Sequence, residues 1–235
     1  YCIYIIGRKL KIVISLSRFL FVLCVFILVI TTVVRFFATE PAVQDTLMDY
    51  SNVEQKTNFT KNQLQSISIT MSEYLSNKTD LLDIRMQSSS GLLALFSPKE
   101  ILHMQDVKKI LMNIYSLQLV ALFYVLTYIT VVLVTKKNVG IRDIISNLQI
   151  AGLISNILLI SLGILLYFSF DRYFVYFHEL AFDNDYWILD PNKDFLIKLY
   201  PLKFWNLITV AFISTVLIIN TAIYLTAYSI KKFLR

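Results

Sequence analysis

The chain has 235 residues, of which 57% are apolar and 16% are charged, and its formal net charge at pH 7 is +6. Because an ordinary soluble domain carries about 25% charged residues, this composition argues against a water-soluble fold. Glycine and proline number only five and four, which disfavours a turn-rich all-β protein or a low-complexity chain. The composition therefore predicts a mostly helical membrane protein.

Four apolar stretches are long enough to cross a membrane, whose hydrocarbon core of about 30 Å needs about 20 helical residues. The first stretch, residues 19–34, is short, but Arg18 and Arg35 flank it and their long side chains can reach the two membrane surfaces. Its apolar core is longer than that of a signal peptide, and no small-x-small cleavage site follows, so we expect it to remain as an anchor. The other stretches are residues 116–135, 144–170 and 204–230.

The distribution of basic residues predicts the orientation, because lysine and arginine accumulate on the cytoplasmic side. With four spans, both termini and the loop at residues 136–143 share one side. That side holds ten of the 22 basic residues and only one of the 16 acidic residues, Asp143. We therefore expect both termini in the cytoplasm. Because the basic residues flank the spans, we expect no nucleic-acid partner.

The predicted fold class is an α-helical integral membrane protein with four transmembrane helices and a small mixed extracytoplasmic cap. The predicted segments are residues 1–37 (cytoplasmic N-terminus and first span), 38–115 (cap), 116–135 (second span), 136–143 (cytoplasmic loop), 144–170 (third span), 171–203 (extracytoplasmic segment) and 204–235 (fourth span and cytoplasmic tail).

The cap sequence predicts three local structures. Residues 44–75 are typical of one or two amphipathic helices, and short apolar runs within residues 81–96 indicate a hairpin. Ser97, Pro98 and Glu100 then stand at the N-cap, first and third positions of a helix, the pattern of a capping box.

The two histidines of the chain, His103 and His178, both fall in segments predicted to be outside the membrane. Glu100 precedes His103 by about one helical turn and Asp106 follows it by one. A neighbouring carboxylate would fix the tautomer of the ring and favour its protonated form, which suits a general base. The alternative is a surface histidine with ion-pair neighbours.

The segment after His178 carries further polar residues among aromatic ones, namely Asn184, Trp187 and Asp194. Aromatic residues in this region also anchor spans at the membrane surface. Asp190 and Pro191 predict the N-cap and first position of a short surface helix that Pro201 ends.

Metal binding is a weaker hypothesis. Glu100-x-x-His103 resembles half of a di-metal motif but has no second copy. With two histidines and no cysteine in the predicted outside segments, a Cys/His zinc site is excluded by residue count. No glycine-rich phosphate loop or nucleophile motif is present, and we predict neither a metal nor another cofactor.

Two separated motifs resemble those of the lipoprotein intramolecular transacylases, the Lit family of Gram-positive bacteria. The first is Glu100-Ile-Leu-His103-Met-Gln-Asp106-Val107-Lys108, preceded by Tyr74-Leu75. The second comprises Phe177-His178, Phe182, Asn184, Trp187, Leu189-Asp190-Pro191, Asp194, Leu196-Ile197 and Pro201. The four-span layout is similar as well, whereas the N-terminal third matches only in topology.

The resemblance implies an enzyme of the bacterial cell membrane that acts on diacylated lipoproteins among membrane lipid. Such an enzyme moves the sn-2 acyl chain of the diacylglyceryl group to the α-amine of the N-terminal cysteine and gives the lyso form. It further implies that His103 and His178 are the catalytic pair, meeting at one cavity. We expect His103 to be the base, oriented by Asp106 or Glu100, and His178 to be the oxyanion donor or acid, although the two roles could be exchanged. Supporting candidates are Asn184, Trp187, Asp190 and Asp194.

Two other functions stay open at this point. One is a non-enzymatic membrane sensor or accessory subunit whose cap binds a partner. The other is a channel or transporter, which the uncharged spans disfavour. The sequence does not indicate the lipoprotein clients, the acyl-chain preference or the oligomeric state.

Overall fold

The structure is a computed structural model and describes residues 2–88 and 91–234. Its elements are α1 (Cys2–Thr39), α2 (Pro41–Tyr50), α3 (Val53–Thr57), α4 (Lys61–Leu75), β1 (Arg85–Ser88), β2 (Gly91–Ala94), α5 (Pro98–Ala181), α6 (Leu196–Leu199) and α7 (Leu202–Phe233). Within these residues, four helical segments are long and apolar enough to cross a membrane, namely Lys9–Thr39, Pro98–Lys136, Val139–Ala181 and Leu202–Phe233. The protein is therefore a helical membrane protein with four spans, as predicted.

Helix α5 contains two of the four spans and must reverse direction between them. Asn147 donates a hydrogen bond of 3.1 Å to the hydroxyl of Tyr128, although a straight helix would separate residues this far apart in sequence by about 28 Å. Near the reversal the backbone passes so close to itself that a Cβ at Gly140 would lie 2.6 Å from the carbonyl oxygen of Val132. Glycine at this position therefore permits the tight helical hairpin.

The chain divides into two compact units, the first of which comprises Tyr1–Val33, Tyr115–Leu162 and Ile213–Arg235. One end of this unit gathers charged side chains. The carboxylate of Asp143 lies 2.8 Å from the guanidinium of Arg18 and 3.2 Å from the ammonium of Lys136, and Arg142 donates to the carbonyl of Leu234. The start of the first span, the hairpin corner and the end of α7 thus share one end of the unit.

The second unit comprises Val34–Ile114 and Gly163–Phe212. Over residues 44–75 it forms three helices where one or two were predicted. Asn52 and Asn58 adopt φ values of 57° and 58°, which interrupt the helical backbone, and asparagine tolerates this left-handed conformation better than most residues. The polar pattern alone did not separate these positions from the amphipathic helices around them.

The predicted hairpin and capping box are confirmed. Strands β1 and β2 pair antiparallel, with Arg85 opposite Ala94, and Ser89 and Ser90, which stand between the two strands in the sequence, lie outside the described residues. At the start of α5, the backbone N–H of Ser97 donates to the Glu100 carboxylate at 2.7 Å, and the Ser97 hydroxyl accepts from the Glu100 backbone N–H. This cap fixes the end of α5 that carries His103.

The predicted helix start at Asp190 is wrong. Helix α6 begins at Leu196 and has Phe195 as its N-cap. The Asp190 carboxylate accepts instead from the backbone N–H of Asn192, while the Asp194 carboxylate accepts from the backbone N–H of Asp190. These local bonds close a turn, an alternative that short polar side chains offer to the backbone.

Candidate active site

The two histidines lie close together because α5 folds back on itself. His103 follows the capped start of α5 and His178 lies near its end, yet their ring centroids are 6.0 Å apart. Both rings are buried, with 7% and 8% of their surface exposed. Two imidazoles at this distance are close enough to act on one small reacting group.

The hydrogen bond of His178 determines its tautomer. Its Nδ1 lies 2.6 Å from the carbonyl oxygen of Phe174. A carbonyl oxygen can only accept, so Nδ1 carries the proton. In the neutral ring, Nε2 then has a free lone pair, and His178 is arranged as a proton acceptor.

His103 lacks such a bond. Its Nδ1 is buried and has no hydrogen-bond partner among the described residues, and its ring and that of Phe182 pack edge to face with their centroids 5.1 Å apart. Because buried polar atoms are nearly always paired, an orphaned ring nitrogen calls for a partner that binds there. A substrate oxygen is a suitable partner.

Four aromatic rings surround His178. The centroid distances are 4.4 Å to Phe174, 5.3 Å to Phe177, 5.6 Å to Phe182 and 5.1 Å to Trp187. The sequence suggested that aromatic residues here anchor the spans at the membrane surface, and it did not predict that they pack around His178. Phe174 precedes His178 by one helical turn, and this spacing was the available signal.

Neither acid that was expected to orient His103 hydrogen-bonds to it. The carboxylate of Glu100, which is 1% exposed, accepts from the backbone N–H groups of Ser97 and Leu196 at 2.7 and 2.6 Å. Asp106 accepts from the side-chain amide of Asn184 at 2.9 Å. Each carboxylate accepts hydrogen bonds from donors other than His103. The predicted hydrogen bond from one of these acids to the His103 ring is therefore not formed among the described residues.

The remaining supporting candidates divide into two groups. Trp187 contacts His178 directly, and Asn184 fastens the same loop to α5 through Asp106. Asp190 and Asp194 instead bond within the turn described above. The structure therefore brings Trp187 and Asn184 to the histidines and gives the two aspartates a local structural role.

Comparison with known proteins identifies the family. The family model described as "Lipoprotein intramolecular transacylase Lit" matches residues 19–205. The chain belongs to the Lit family. These are membrane-integral acyl-transferring enzymes, so the resemblance seen in the two motifs is confirmed.

The matches to individual proteins agree with this membership. The structure of the membrane-integral transacylase Lit from Bacillus cereus is 23% identical, with a TM-score of 0.72 and coverage of 94% of each chain. A variant of that protein with a histidine-to-alanine substitution gives 21% identity and a TM-score of 0.71, with coverage of 100% of this chain and 97% of the other. A protein of Aquifex aeolicus without an assigned function is 30% identical over 142 residues, which is 60% of this chain and 60% of that relative.

Both histidines of this Lit-family chain lie beyond the uncharged part of their spans, since Lys108 and Lys109 follow His103, and Asp171 and Arg172 precede His178. Burial lowers the pKa of His103 to about 4, helped by the nearby His178 and opposed by the field of Asp106. Burial also lowers the pKa of His178, although its bond to the Phe174 carbonyl opposes this. Asp106 thus favours the protonated form of His103, as expected, but burial outweighs this effect, and the lowered pKa values favour neutral rings at neutral pH.

Two clefts in the structure lie away from the histidines. One of about 490 Å³ is lined by residues from Tyr167 to Arg172 together with Asn206. The other, of about 290 Å³, is lined by Gln149 and Tyr224 among others. Neither lining includes a histidine, so the cavity that was predicted around the two rings stays a prediction. Across residues 2–88 and 91–234, histidine, cysteine, aspartate and glutamate form no group of three or more that could hold a metal ion.

Proposed function

We propose that this protein transfers the sn-2 acyl chain of a diacylglyceryl lipoprotein to the α-amine of the lipoprotein's N-terminal cysteine, giving the lyso form. The observation that carries this proposal is the buried pair of neutral histidines whose rings lie 6.0 Å apart. Membership of the Lit family supplies the class of substrate and of reaction. Ester aminolysis needs a proton acceptor for the amine and a donor for the oxyanion, and the pair offers one of each.

His178 is the general base in this proposal, which exchanges the roles expected from sequence. The neutral α-amine attacks the ester carbonyl carbon, and the Nε2 atom of His178 accepts the proton that the new C–N bond releases. Its Nδ1–H bond to Phe174 holds the ring in the tautomer that this step requires. The resulting imidazolium then returns the proton to the departing glycerol oxygen as the C–O bond breaks.

His103 stabilises the oxyanion. Its low pKa keeps the ring neutral, and a neutral imidazole N–H can still donate a hydrogen bond to a developing negative charge. The orphaned Nδ1 gains a partner when substrate binds. Because amine and ester belong to one substrate molecule, holding them in attack geometry supplies much of the rate, and no nucleophile from the protein is required.

We further propose the location of the reaction. Basic residues accumulate at the end of the first unit that holds Arg18, Lys136 and Asp143. The positive-inside rule assigns this end to the cytoplasm. Both termini then lie in the cytoplasm, and the histidines act on the extracytoplasmic side of the bacterial membrane.

The test is expression in a bacterial host that lacks N-acylation of its lipoproteins, with mass spectrometry of the N-terminal lipopeptide. The expected product is the N-acyl, lyso form. His178→Ala should lower its formation about 10²- to 10⁴-fold, the contribution of a general base. His103→Ala should lower it about 10²- to 10³-fold, the contribution of one oxyanion donor.

Glu179→Ala is the matched control, because Glu179 is the exposed neighbour of His178 on the same helix. It should convert lipoprotein like the unaltered protein. His178→Gln and His103→Gln, with thermal unfolding in detergent, separate a chemical loss from misfolding. Normal conversion by folded variants of both histidines would disprove the assigned roles, and unchanged diacyl lipopeptide with the unaltered protein would disprove the reaction.

A further inference from the structure

His178 lacks the carboxylate that usually stabilises a catalytic imidazolium. Its described hydrogen bond goes to the Phe174 carbonyl, and no carboxylate of the described residues bonds to its ring. Asp183 and Asp185, in the loop that follows His178, are exposed. Glu100 binds two backbone N–H groups and Asp106 binds Asn184. Glu179, the next residue, is exposed. The base therefore gains a full charge during the reaction in a buried site without a bonded counter-ion, which is costly.

Trp187 is placed to reduce this cost. Its ring centroid lies 5.1 Å from that of His178, with an angle of 34° between the ring planes. A cation within about 6 Å of an aromatic face is attracted by the negative charge of that face, and tryptophan gives the strongest attraction. Phe174 lies at 4.4 Å but is tilted by 51°, Phe182 is tilted by 41° at 5.6 Å, and Phe177 meets His178 at 86°. Among these four aromatic rings, that of Trp187 is the most nearly parallel to the imidazole.

The loop that carries Trp187 is fastened on both sides of that residue. Asn184 donates to Asp106 at 2.9 Å, and the ammonium of Lys99 donates to the carbonyl oxygen of Ile188. Both partners lie on the part of α5 that also carries His103. The position of the indole is therefore set by polar bonds that do not involve His178, as expected of a positioned functional group.

We propose that the indole of Trp187 stabilises the imidazolium of His178 through its π face when His178 takes the proton of the α-amine. The inference rests on the proposed function for the step in which the charge appears. No additional reactant is involved, because the proton passes from amine to Nε2 and then to the glycerol oxygen. Trp187 acts through His178 and is a positioning residue in the sense that it makes no bond to substrate.

Fluorinated tryptophan tests the proposal, because fluorine withdraws charge from the π face with little change in shape. The other tryptophan, Trp205, contacts Phe174, so Trp205→Phe provides a background in which Trp187 is the one tryptophan of the sequence. Indoles with one, two and three fluorines are introduced at Trp187. The logarithm of the acyl-transfer rate should fall in step with fluorine number. Trp187→Leu should lose about 10- to 30-fold, the value of a buried cation–π contact.

A second measurement does not depend on the reaction. NMR titration of histidine-labelled protein, with the His178 signal assigned from a His103→Gln variant, should show the pKa of His178 falling as fluorines are added. A purely structural role for Trp187 predicts no change across this isosteric series. Flat rates and a constant His178 pKa would overturn the proposal, whereas a falling pKa in a protein without acyl transfer would reject only the proposed function.

Discussion

The two histidines of the site differ in what holds each ring. The backbone carbonyl of Phe174 fixes the tautomer of His178, whereas the buried Nδ1 of His103 has no partner among the described residues. A fixed tautomer suits a base, and a buried ring nitrogen without a partner in the protein suits a group that hydrogen-bonds to substrate. In our proposal the two roles rest on this asymmetry rather than on the acids nearby in sequence.

Burial of His103 predicts how stability depends on pH. The folded ring has a pKa of about 4 against 6.5 for the exposed group, so between these values the unfolded chain binds more protons. Stability is then full above about pH 6.5 and declines as pH falls toward 4, by about 2 kcal/mol between pH 7.5 and 5. Replacing His103 by Gln removes this dependence, as unfolding in detergent at the two pH values should show.

The measurement at pH 7.5 is the control. At this pH His103 is neutral in the folded and unfolded chain, so the difference in unfolding free energy between the histidine and glutamine proteins reflects the substitution alone. His178 is present in both and contributes equally. A difference that stays the same at pH 5 would mean that the folded protein does not hold His103 neutral.

The sequence predicted the histidine pair but not the partners of its acids. Glu100 stands one turn from His103, which favoured an ion pair, yet its carboxylate bonds to the backbone N–H of Leu196. Every residue except proline has a backbone N–H, so no residue type marks the one that will bind Glu100. Leu196, which provides it, is also distant from Glu100 along the chain. Local spacing therefore predicts which residues are near the site but not which donor each carboxylate accepts.

At the level of elements, Glu100 connects two parts of the second unit. One oxygen completes the capping box at Ser97 and the other binds the first residue of α6. The same carboxylate thus fixes the start of α5 and the end of the loop that carries Trp187. The capping box was predictable because its residues are adjacent, whereas the second bond joins residues far apart in the chain.

Removal of this carboxylate should destabilise the protein. Glu100→Ala leaves the buried N–H of Leu196 and the N–H of Ser97 without acceptors, at a cost of about 1–3 kcal/mol for each fully buried group. Glu100→Gln keeps one acceptor oxygen but places an N–H₂ group against a donor, so its loss should be smaller. Thermal unfolding should rank the proteins in the order unaltered, Gln, Ala.

The exposed Glu179 on the same helix provides the control, since Glu179→Ala should unfold like the unaltered protein. Equal unfolding temperatures for Glu100→Ala and Glu179→Ala would show that the two backbone bonds contribute nothing.

At the scale of the whole molecule, the four spans were predictable because lipid imposes long apolar runs. The helical boundaries were not, since α5 continues past the uncharged run to Ala181 and carries His178 beyond the predicted third span. The charge pattern also predicted which residues share one end. Asp143, the one acid in the predicted cytoplasmic set, accepts from both Arg18 and Lys136 there.

Membrane sidedness is predicted by this charge distribution and can be tested by labelling single cysteines in a Cys2→Ser, Cys24→Ser background. Lys56→Cys, Lys193→Cys and Val139→Cys all place the thiol at exposed positions. In intact cells, a membrane-impermeant maleimide should label the first two positions and leave Val139→Cys unlabelled, because the basic residues near the hairpin corner predict a cytoplasmic location for it. After permeabilisation all three should react, which shows that each thiol is accessible. Labelling of Val139→Cys but not of Lys56→Cys in intact cells would reverse the orientation and place the histidine pair on the cytoplasmic side of the membrane.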